Sequence, residues 1–564
     1  MCGIVGIISR DGGNISNQIR RMLCILKHRG PDGCGLMIGK TIQRGFLLDD
    51  LDFEDTESGA GMGHTRLAIV GGVFGQQPLE DCKQKLVLLH NGEIYNYKEL
   101  RKKLETDHKL LTETDSETII HLIEESYNGD LLSAVANVLK YLDGVYALAV
   151  SDGKEIVISR DRIGIKQLYI GENEKYIAFA SERKALWEVG ITDERRLKPG
   201  HIAKLSRESI NLKKVLKLPL NVRQSIHDFN GAIDRYREAL VEAIRKRTDG
   251  FERLGIIFSG GIDSVLITQI ADKFTEVKCY TAGLKGSEDV KYAKIAASKI
   301  GVKIKVKELT LKDVENYIPK VMEAIEDRLF GQVEVAIPIY AAVEMAKKDG
   351  LKVMLTGQGA DEIYGGYPWY RAILEEEGYQ SFEKYMKKDI QNLYRETLER
   401  EDKITMANSI ELRVPYLDLA VIKVAMETDS KLKIRSPQDR LGKFIHRELA
   451  KKMQVPTDLA DRPKEAAQHG SGVHEAILKI AQKNGFIDDV VKETGYNSDK
   501  SIREKLGSSI RYGYKYGDKK QWTIPDHVQL YLDMIALEQR LVTEDELEYL
   551  KTECELEPLK QTIM

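Results

Sequence analysis

The chain of 564 residues lacks the features of several specialised protein classes. It has six cysteines, no two of which form a C-x-x-C pair, and four of them fall within the first 82 residues. This distribution argues against a disulfide framework or a structural zinc site and is typical of a reducing compartment. No apolar run reaches the ~18 residues that span a bilayer, and no basic and apolar leader precedes Cys2. We therefore expect a cytoplasmic protein with no membrane partner.

An excess of charge of one sign is also missing. The formal net charge is −3, with 31% charged and 42% hydrophobic residues, so there is no global attraction to nucleic acid or to an anionic membrane. The chain is too long for one hydrophobic core, and its length predicts about three to four domains. Its chemistry must therefore be sought in local motifs.

Cys2 is the most informative single residue. It follows Met1 and opens an apolar stretch, so removal of Met1 would give one residue both a thiol and a main-chain amine. An α-amine titrates at about 7.7–8.0 and can take the proton of the thiol, which activates the sulfur as a nucleophile. Taken alone, Cys2 is equally compatible with a buried cysteine in an N-terminal strand, because cysteine is among the most buried residue types.

Four further segments favour the catalytic interpretation. They are residues 29–32 (RGPD), 64–69 (HTRLAI), 90–96 (HNGEIYN) and 114–117 (TDSE), in that order. Together they supply what a glutamine amidase needs: a guanidinium for the substrate carboxylate, carboxylates for its ammonium, and amide donors for the oxyanion. The N-terminal region resembles a class II glutamine amidotransferase domain.

The resemblance implies a role for each matching residue. Cys2 is the nucleophile, and the side chain of Asn91 with the main-chain N–H of Gly92 forms the oxyanion hole. Arg66 holds the carboxylate of glutamine, while Glu93 and Asp115 hold its amine. Asn91-Gly92 between apolar runs is also a strong hairpin-turn signal, and a turn is compatible with main-chain donors that face a ligand.

A second set of motifs indicates a nucleotide site. Residues 256–264 (IIFSGGIDS) predict a strand, a small-residue turn and a helix start, where free N–H groups suit a phosphate. This loop resembles those of enzymes that split ATP between its α- and β-phosphates. Residues 356–362 (TGQGADE) follow another apolar strand, and ligands bind beyond the carboxyl ends of such strands. Asp263 and Asp361 are the expected Mg²⁺ ligands, and the expected ATP-binding residues are Ile257, Ser259, Gly260, Gly261, Asp263, Ser264, Ala282, Thr356 and Gly357.

Residues 406–418 and 462–466 complete the pattern, and the span from Cys2 to about residue 475 resembles the glutamine-hydrolysing asparagine synthetase family. Lys464 matches the family lysine that neutralises charge on the transferring phosphoryl group. Two positions depart from the family: Gln358 replaces a glutamate thought to deprotonate ammonia, and Glu334 stands where some members have arginine. Gln358 cannot act as a base. Glu362 or the departing adenylate is then the candidate proton acceptor.

The alternation of elements predicts the fold. Short strands separated by turns fill the first ~200 residues and match the αββα sandwich of N-terminal-nucleophile hydrolases that the resemblance implies. Strands then alternate with helices, which predicts an α/β domain with a parallel sheet. We expect an amidotransferase domain at 2–205, a connector at 206–229, an ATP-pyrophosphatase domain at 230–480 and a mostly helical extension at 481–564.

The expected reaction is the ATP-dependent conversion of aspartate and glutamine to asparagine and glutamate, through an acyl-adenylate and tunnelled ammonia, with release of AMP and pyrophosphate. The same chemistry on another carboxylate acceptor is the alternative. A catalytically silent sensor of glutamine or ATP is a third interpretation, but it predicts decay at Cys2, Asp263, Asp361 and Lys464, all of which are present.

The family resemblance fades after about residue 480. Residues 500–520 are basic and carry tyrosines, a composition found in nucleic-acid-binding surfaces, yet a solvated structural loop is the better interpretation without further support. Helical patterns at 526–540 and 543–550 are expected to pack on the synthetase domain or on another subunit, which makes a homo-oligomer an open prediction.

Overall fold

The computed structural model describes residues 2–53, 58–463, 467–493, 496, 515–516, 519–520 and 525–542. Its strands are β1 Cys2–Ser9, β2 Gly33–Ile38, β3 Thr41–Gly45, β4 Ala60–Arg66, β5 Leu79–Glu80, β6 Val87–Ile94, β7 Gly144–Ser151, β8 Ile156–Arg160, β9 Tyr169–Glu172, β10 Tyr176–Ala180, β11 Arg195–Arg196, β12 His201–Leu205, β13 Ile210–Lys214, β14 Arg253–Ile257, β15 Glu276–Leu284, β16 Lys303–Leu309, β17 Val353–Leu355, β18 Glu411–Arg413, β19 Lys515–Tyr516 and β20 Lys519–Lys520.

The α-helices are α1 Ser16–Ile25, α2 Tyr97–Leu104, α3 Asp115–Ser126, α4 Leu131–Val138, α5 Arg183–Trp187, α6 Phe229–Thr248, α7 Ile262–Ala271, α8 Glu288–Ile300, α9 Leu311–Ile325, α10 Phe330–Lys348, α11 Ala360–Tyr364, α12 Pro368–Glu396, α13 Leu398–Ala407, α14 Leu419–Glu427, α15 Phe444–Lys452, α16 Thr457–Ala460, α17 Ala467–Gly470, α18 Val473–Lys483, α19 Asp488–Glu493 and α20 Asp526–Glu538.

The chain divides into two compact units, the first of which comprises Met1–Leu218 and Thr397–Glu411. A seven-stranded sheet runs in the order β11-β9-β10-β1-β4-β2-β3, and a six-stranded sheet in the order β13-β12-β8-β7-β6-β5. The strand pairs in both sheets are antiparallel. Since β1 lies centrally in the first sheet, all of its residues are buried, Cys2 included.

Three apolar clusters show that this unit has four layers. One cluster joins the facing sides of the two sheets and contains Ile4, Leu89, Ala147 and Phe179. A second packs α1 and α5 onto the outer face of the seven-stranded sheet, and a third packs α2, α3 and α4 onto the six-stranded sheet. Helices therefore cover both outer faces of two stacked sheets, which confirms the predicted αββα sandwich.

The second unit comprises Pro219–Glu396 and Leu412–Met564. Its sheet has the order β16-β15-β14-β17-β18, and β14, β15, β16 and β17 pair in parallel. The crossovers between these strands are helical, as the alternating sequence pattern predicts. In the C-terminal extension, α20 packs within this unit, where Arg328 Nε lies 2.8 Å from Asp533 Oδ1 and the Phe330 N–H donates to Gln529 Oε1 at 3.0 Å.

Several local expectations need correction. Asn91-Gly92 is not a turn, because both residues lie inside β6 and pair with Ala147 and Tyr146 of β7. The predicted connector contains β13, which forms a hairpin with β12, and α13 belongs to the first unit although the sequence places it far downstream. The basic segment 500–520, apart from the short strands β19 and β20, and the helix predicted at 543–550 lie outside the described residues.

Within the described ranges, no single helix is long and apolar enough to cross a membrane. Only α9 and α10 taken together, as a pair bent by 105°, pass that test of length and composition.

Candidate functional site

A hydrogen bond from main chain to side chain joins Cys2 to Asn91. The Cys2 N–H donates to Asn91 Oδ1 at 2.9 Å, and both residues are buried. The other end of this amide, Asn91 Nδ2, is also buried and has no hydrogen-bond partner among the described residues. A buried donor without a partner costs about 1–3 kcal/mol. Such a donor is what an oxyanion hole requires, because it becomes satisfied only when a negative oxygen arrives.

The pocket beside Cys2 contains the residues that the sequence assigned to glutamine. Arg66, Gly92, Glu93 and Asp115 line it together with Cys2. The motifs at 64–69, 90–96 and 114–117 contribute further lining residues, which are Leu67, Ile69, His90, Thr114 and Ser116. No sequence signal pointed to this pocket for the remaining lining residues, Val70, Gly75, Gln77 and Glu411. The structure therefore brings a nucleophile, a guanidinium and two carboxylates to one place.

Sheet register places Arg66 next to Cys2. β4 pairs with β1 so that Cys2 and Arg66 are direct partners at the strand ends. One guanidinium nitrogen of Arg66 donates to the Val70 carbonyl at 3.3 Å, and the other terminal nitrogen is buried without a partner among the described residues. Burial lowers the pKa of Arg66 while the Cys2 thiol, Asp32 and Asp115 raise it, and an arginine remains charged in proteins. A desolvated guanidinium with one terminal nitrogen unsatisfied suits a carboxylate.

Asp115 is the first residue of α3. Its Oδ2 accepts a hydrogen bond from the Ile94 N–H at 2.9 Å. Burial raises the pKa of Asp115 to about 6, although the main-chain N–H groups of Ile94 and Ser116 oppose the shift. Glu93, which is 7% exposed, is the second carboxylate of the pocket. An ammonium group between these two acids would replace the hydration that burial removes.

Two buried histidines near Cys2 are neutral at physiological pH. Burial lowers the pKa values of His64 and His90 to about 3. His90 Nδ1 lies 2.8 Å from Ser116 Oγ, and His64 Nε2 lies 3.3 Å from the His90 carbonyl oxygen. Neither imidazole can gain a proton near neutrality, so neither is suited to activate a thiol as a cysteine protease histidine does. The α-amine of a processed Cys2 is the better base.

Arg29 positions Cys2 rather than substrate. Its side chain is fully buried and donates to the Cys2 carbonyl at 3.1 Å, to Glu182 Oε1 at 2.7 Å and to Asp402 Oδ2 at 3.0 Å. Asp402 lies on α13, which comes from the second half of the sequence. No local pattern could reveal this contact, because the partners are 373 residues apart.

The predicted nucleotide residues lie at one edge of the parallel sheet. Ile257 ends β14, Ala282 lies near the end of β15, and Thr356 directly follows β17. The two glycine-containing loops touch: a Cβ built on Gly357 would come within 2.9 Å of Asp263 Cβ, so a side chain there would separate the loops. The remaining predicted residues, Ser259, Gly260, Gly261 and Ser264, form the turn into α7.

Lys443 bridges the two predicted metal ligands. Its Nζ lies 2.6 Å from Asp263 Oδ1 and 2.7 Å from Asp361 Oδ1, although Lys443 follows Asp263 by 180 residues in the sequence. Sequence reasoning missed this lysine, which directly precedes α15. The only local signal is Gly442-Lys443 before an amphipathic helix, and that signal does not indicate chemistry. The structure thus shows a cation held between Asp263 and Asp361.

A chain of aromatic and imidazole groups supports Asp263 from behind. His446 Nε2 lies 3.0 Å from Asp263 Oδ1, and His446 Nδ1 lies 2.7 Å from the Tyr236 hydroxyl. The Tyr416 hydroxyl donates to the main-chain oxygen of Asp263 at 2.9 Å. Burial lowers the pKa of His446, against the raising effect of Asp263. These contacts hold Asp263 in place. Because His446 stays neutral, they add no second positive charge beside Lys443.

The residues predicted on the acceptor side have separate partners. Glu362 is completely buried and its Oε1 accepts the Tyr367 hydroxyl at 2.7 Å, whereas Gln358 is half-buried between two glycines. Glu334 Oε2 lies 2.6 Å from His474 Nδ1, and this contact raises the pKa of His474. Lys464 lies outside the described residues, so its predicted role stays a prediction.

Two family models match the chain, and the second match extends past residue 480, where the sequence predicted the end of the synthetase domain. Residues 1–214 match the glutamine amidotransferase domain family, and residues 235–380 and 374–534 match the asparagine synthase family. A Methanocaldococcus jannaschii protein described as a glutamine-hydrolysing asparagine synthetase is 37% identical over 546 residues, which cover 87% of this chain and 98% of that protein. The nodule asparagine synthetase of Pisum sativum is 30% identical over 504 residues, 84% of this chain and 78% of that protein. The chain belongs to the glutamine-hydrolysing asparagine synthetase family.

Proposed function

We propose that this protein makes asparagine from aspartate, ATP and the amide nitrogen of glutamine, releasing glutamate, AMP and pyrophosphate. The observation that carries the proposal is that one chain holds two sites of different chemistry. A cysteine beside an unsatisfied amide donor suits amide hydrolysis. A pair of carboxylates at the carboxyl edge of a parallel sheet suits a nucleotide with its metal ion.

The glutaminase half begins with attack of the Cys2 thiolate on the glutamine carboxamide. Arg66 binds the substrate carboxylate, and Glu93 with Asp115 binds its ammonium, which aligns the amide carbon with the sulfur. Asn91 Nδ2 and the Gly92 N–H stabilise the tetrahedral oxyanion. The α-amine takes the thiol proton and returns it to the departing ammonia, and water then hydrolyses the thioester to glutamate and restores the thiol.

The synthetase half activates a carboxylate. A carboxylate oxygen of aspartate attacks the α-phosphorus of ATP, the bond to pyrophosphate breaks, and an acyl-adenylate forms. Ammonia then adds to the acyl carbon, loses a proton and displaces AMP. The glycine loops at residues 259–264 and 356–359 hold the phosphates by main-chain N–H groups. We assign to Lys464 the neutralisation of charge on the pyrophosphate.

The carboxylates of Asp263 and Asp361 are suited to bind a Mg²⁺ ion. Their carboxylates already converge on the ammonium of Lys443, so the position is built for positive charge. The adjacent Gly366 leaves the space open, because a Cβ there would lie only 1.9 Å from Asp361 Oδ1. Mg²⁺ prefers one or two carboxylates combined with phosphate oxygens. When bound with ATP, the ion supplies charge neutralisation on the phosphates, and Asp263 and Asp361 orient it.

Two observations keep a different carboxylate acceptor as the second candidate. Gln358 has no acid–base state near neutrality, and Glu334 brings a carboxylate and its partner His474 to a position where some relatives have arginine. The changes are confined to residues assigned to the acceptor side. If the acceptor differs, the glutaminase and ATP chemistry stay as described and only the carboxylic substrate changes.

Isotope transfer from the acceptor tests the proposal directly. The full-length protein is incubated with ATP, Mg²⁺, glutamine and aspartate labelled with ¹⁸O in its β-carboxylate. Asparagine together with AMP that carries one ¹⁸O is the expected result, because the acyl-adenylate leaves a carboxylate oxygen on the phosphate. Unlabelled AMP, or pyrophosphate release without asparagine, would refute aspartate as acceptor. A panel of other carboxylates, with the amidated product identified by mass spectrometry, then tests the second candidate.

A further inference from the structure

Four potential metal-binding side chains meet on the outer side of the amidotransferase unit. Cys82 lies in the loop between β5 and β6, His108 follows α2, and His121 with Glu124 lies on α3. Their nearest ligand atoms all fall within 4.8 Å of one another. The three side chains other than Cys82 are shielded, with exposed fractions of 8%, 3% and 5% for His108, His121 and Glu124. The cluster is separate from the glutamine pocket, whose lining it does not share.

Four of the six separations among the ligand atoms match the edges of a tetrahedral metal site, and the other two lie within 4.8 Å. Bonds of about 2.0–2.1 Å to nitrogen or oxygen and about 2.3 Å to sulfur give edges of about 3.3 Å for N···O and about 3.6 Å for N···S. Cys82 Sγ lies 3.5 Å from His108 Nδ1 and 3.7 Å from His121 Nδ1. Glu124 Oε2 lies 3.3 Å and 3.1 Å from the same two nitrogens. All four measured edges agree with the expected values within about 0.2 Å.

The outer nitrogen of each imidazole faces a second carboxylate. His108 Nε2 lies 3.3 Å from Glu125 Oε1, and His121 Nε2 lies 3.9 Å from Glu117 Oε1. Glu117 is itself fixed by the N–H groups of Leu111 and Thr112, at 2.5 and 2.8 Å. A carboxylate that receives the outer N–H turns the inner nitrogen lone pair toward the metal, which is the usual second layer of histidine metal sites.

Without a metal ion, hydrogen bonds satisfy the polar atoms of this cluster poorly. Glu124 Oε2 receives the main-chain N–H of Cys82 at 3.1 Å and also faces both inner imidazole nitrogens. With both histidines neutral, three donors on one oxygen would leave their outer nitrogens as acceptors that face acidic Glu117 and Glu125. Without a metal ion, the cluster must protonate an imidazole instead, and, against the lowering effect of burial, Glu117 and Glu124 do raise the pKa of His121. A single cation at the centre removes this conflict, because both imidazoles then bind it through Nδ1 and donate from Nε2.

We propose that Cys82, His108, His121 and Glu124 form a structural Zn²⁺ site. One thiolate, two neutral imidazoles and one carboxylate in tetrahedral arrangement are typical zinc ligands, and four protein ligands leave no open position for catalysis. The thiolate and the carboxylate balance the charge of the ion. The sequence argued against a structural zinc site because the chain has no C-x-x-C pair. The four ligands instead span 43 residues and come from three elements, so no short motif contains them.

The ion would connect two loops to the helix that begins the glutamine pocket. Asp115 and His121 both belong to α3, six residues and therefore about 9 Å apart along the helix axis. Zinc at this position holds the Cys82 loop and the His108 loop against α3. Its role is to stabilise the amidotransferase unit, so its loss should lower the melting temperature more than it changes the chemistry at Cys2.

Metal content of the full-length protein tests the proposal. The protein is purified with a reductant, washed with a weak chelator, reconstituted with Zn²⁺ and analysed by mass spectrometry of the metal. We expect about one zinc per chain, with at least about a tenfold loss of affinity in Cys82→Ser and in His108→Gln. Cys24→Ser is the matched control, because Cys24 is another exposed free cysteine of the same unit, and it should retain the metal.

Spectroscopy with Co²⁺ in place of Zn²⁺ provides the second measurement. A thiolate-to-cobalt charge-transfer band that is present in the wild type and in Cys24→Ser, but absent from Cys82→Ser, would support the site. His108→Gln lies in a loop and so preserves a folded test protein if the cysteine variant fails to fold. A wild-type chain that binds no zinc after reconstitution, or unchanged zinc affinity in both ligand variants, would overturn the proposal.

Discussion

The glutamine pocket and the nucleotide loops prepare for their ligands in opposite ways. In the glutamine pocket, burial opposes ionisation: it holds His90 and the nearby His64 neutral and raises the pKa of Asp115 to about 6. At the nucleotide loops, charge is kept and paired internally, with Lys443 between Asp263 and Asp361. The first site leaves donors unsatisfied, whereas the second satisfies its carboxylates with a cation from its own chain.

The difference follows from the ligands. Glutamine is a small zwitterion whose amide becomes negative only in the transition state, so a dry pocket with an unpaired donor stabilises that state selectively. ATP arrives as a polyanion with a cation, and carboxylates left unpaired until then would repel it and each other. Pairing with Lys443 offsets their charge and fixes their orientation. Mutations should therefore separate the two sites cleanly.

Cys2→Ala should have the largest effect. Glutamine-dependent synthesis should fall on the order of 10³–10⁶-fold, as expected for removal of a nucleophile, while synthesis from free ammonium persists. Asparagine formation with each nitrogen source is measured by amino-acid analysis. Cys24→Ser serves as the control, since Cys24 is exposed on α1, and should leave both activities intact. Equal loss with glutamine and with ammonium would contradict two separate sites.

Asp263→Asn should disable only the nucleotide site. It removes a carboxylate that holds Lys443 and the expected metal ion, and we expect pyrophosphate formation to fall by about 10³-fold. Glutamine hydrolysis at Cys2 should continue at close to its normal rate. A coupled pyrophosphate assay and a glutamate assay on the same preparation measure the two halves. Concurrent loss of glutamate production would show that the sites are not chemically independent.

Asn91→Ala should slow glutamine hydrolysis through the transition state. Loss of one oxyanion donor costs about 10²–10³-fold in kcat, and KM should change little, because Arg66, Glu93 and Asp115 still bind the substrate. Steady-state glutaminase kinetics separate the two parameters. A variant with normal kcat and a raised KM would instead place Asn91 among the groups that bind ground-state glutamine.

Both groups of candidate residues could be named from the sequence because most of them lie in short continuous motifs, and the structure brings each group together. The αββα and parallel-sheet architectures, the strand that carries Cys2 and the loop at Asp263 were all correct. The contacts that the sequence did not predict join distant segments: Lys443 pairs with Asp263, and Arg29 pairs with Asp402 on α13. Periodicity and turn chemistry act over a few residues, whereas a buried ion pair depends on the finished topology.

At Asn91-Gly92, a local sequence signal predicted a structure that the fold does not form. The dipeptide is a strong turn signal, but both residues lie in the middle of β6. Eight cross-strand residue pairs with β7 outweigh a local preference worth little free energy. The mismatch between local and tertiary preference falls at Asn91, the residue predicted to form the oxyanion hole.

The raised pKa of Asp115 predicts a pH limit on glutamine binding. Asp115 holds the substrate ammonium only as a carboxylate, and burial raises its pKa to about 6 in the free protein. Affinity should be constant above that pH and fall about tenfold per unit below it, because a proton then competes with the ammonium. Calorimetric titration of the Cys2→Ala variant measures binding without turnover. Affinity that is unchanged down to pH 4.5 would refute the assignment.

Gln358→Glu should produce the smallest effect and decide the identity of the acceptor. A positioned base contributes about 10²–10⁴-fold in general, but this pocket is shaped for an amide, so we expect asparagine formation to rise by about tenfold or less.

Glu362 is the matched comparison for Gln358, because it is the other candidate on the acceptor side and it carries the carboxylate that Gln358 lacks. Its side chain is buried and accepts a hydrogen bond from the Tyr367 hydroxyl. Glu362→Gln should slow synthesis if Glu362 accepts the ammonia proton in the wild type. Ammonium-dependent synthesis by all four proteins, the two variants, their double variant and the wild type, is measured by product analysis. A gain in Gln358→Glu that also rescues Glu362→Gln would show that either position can supply the base, whereas no asparagine from any of the four would direct the search to another carboxylate.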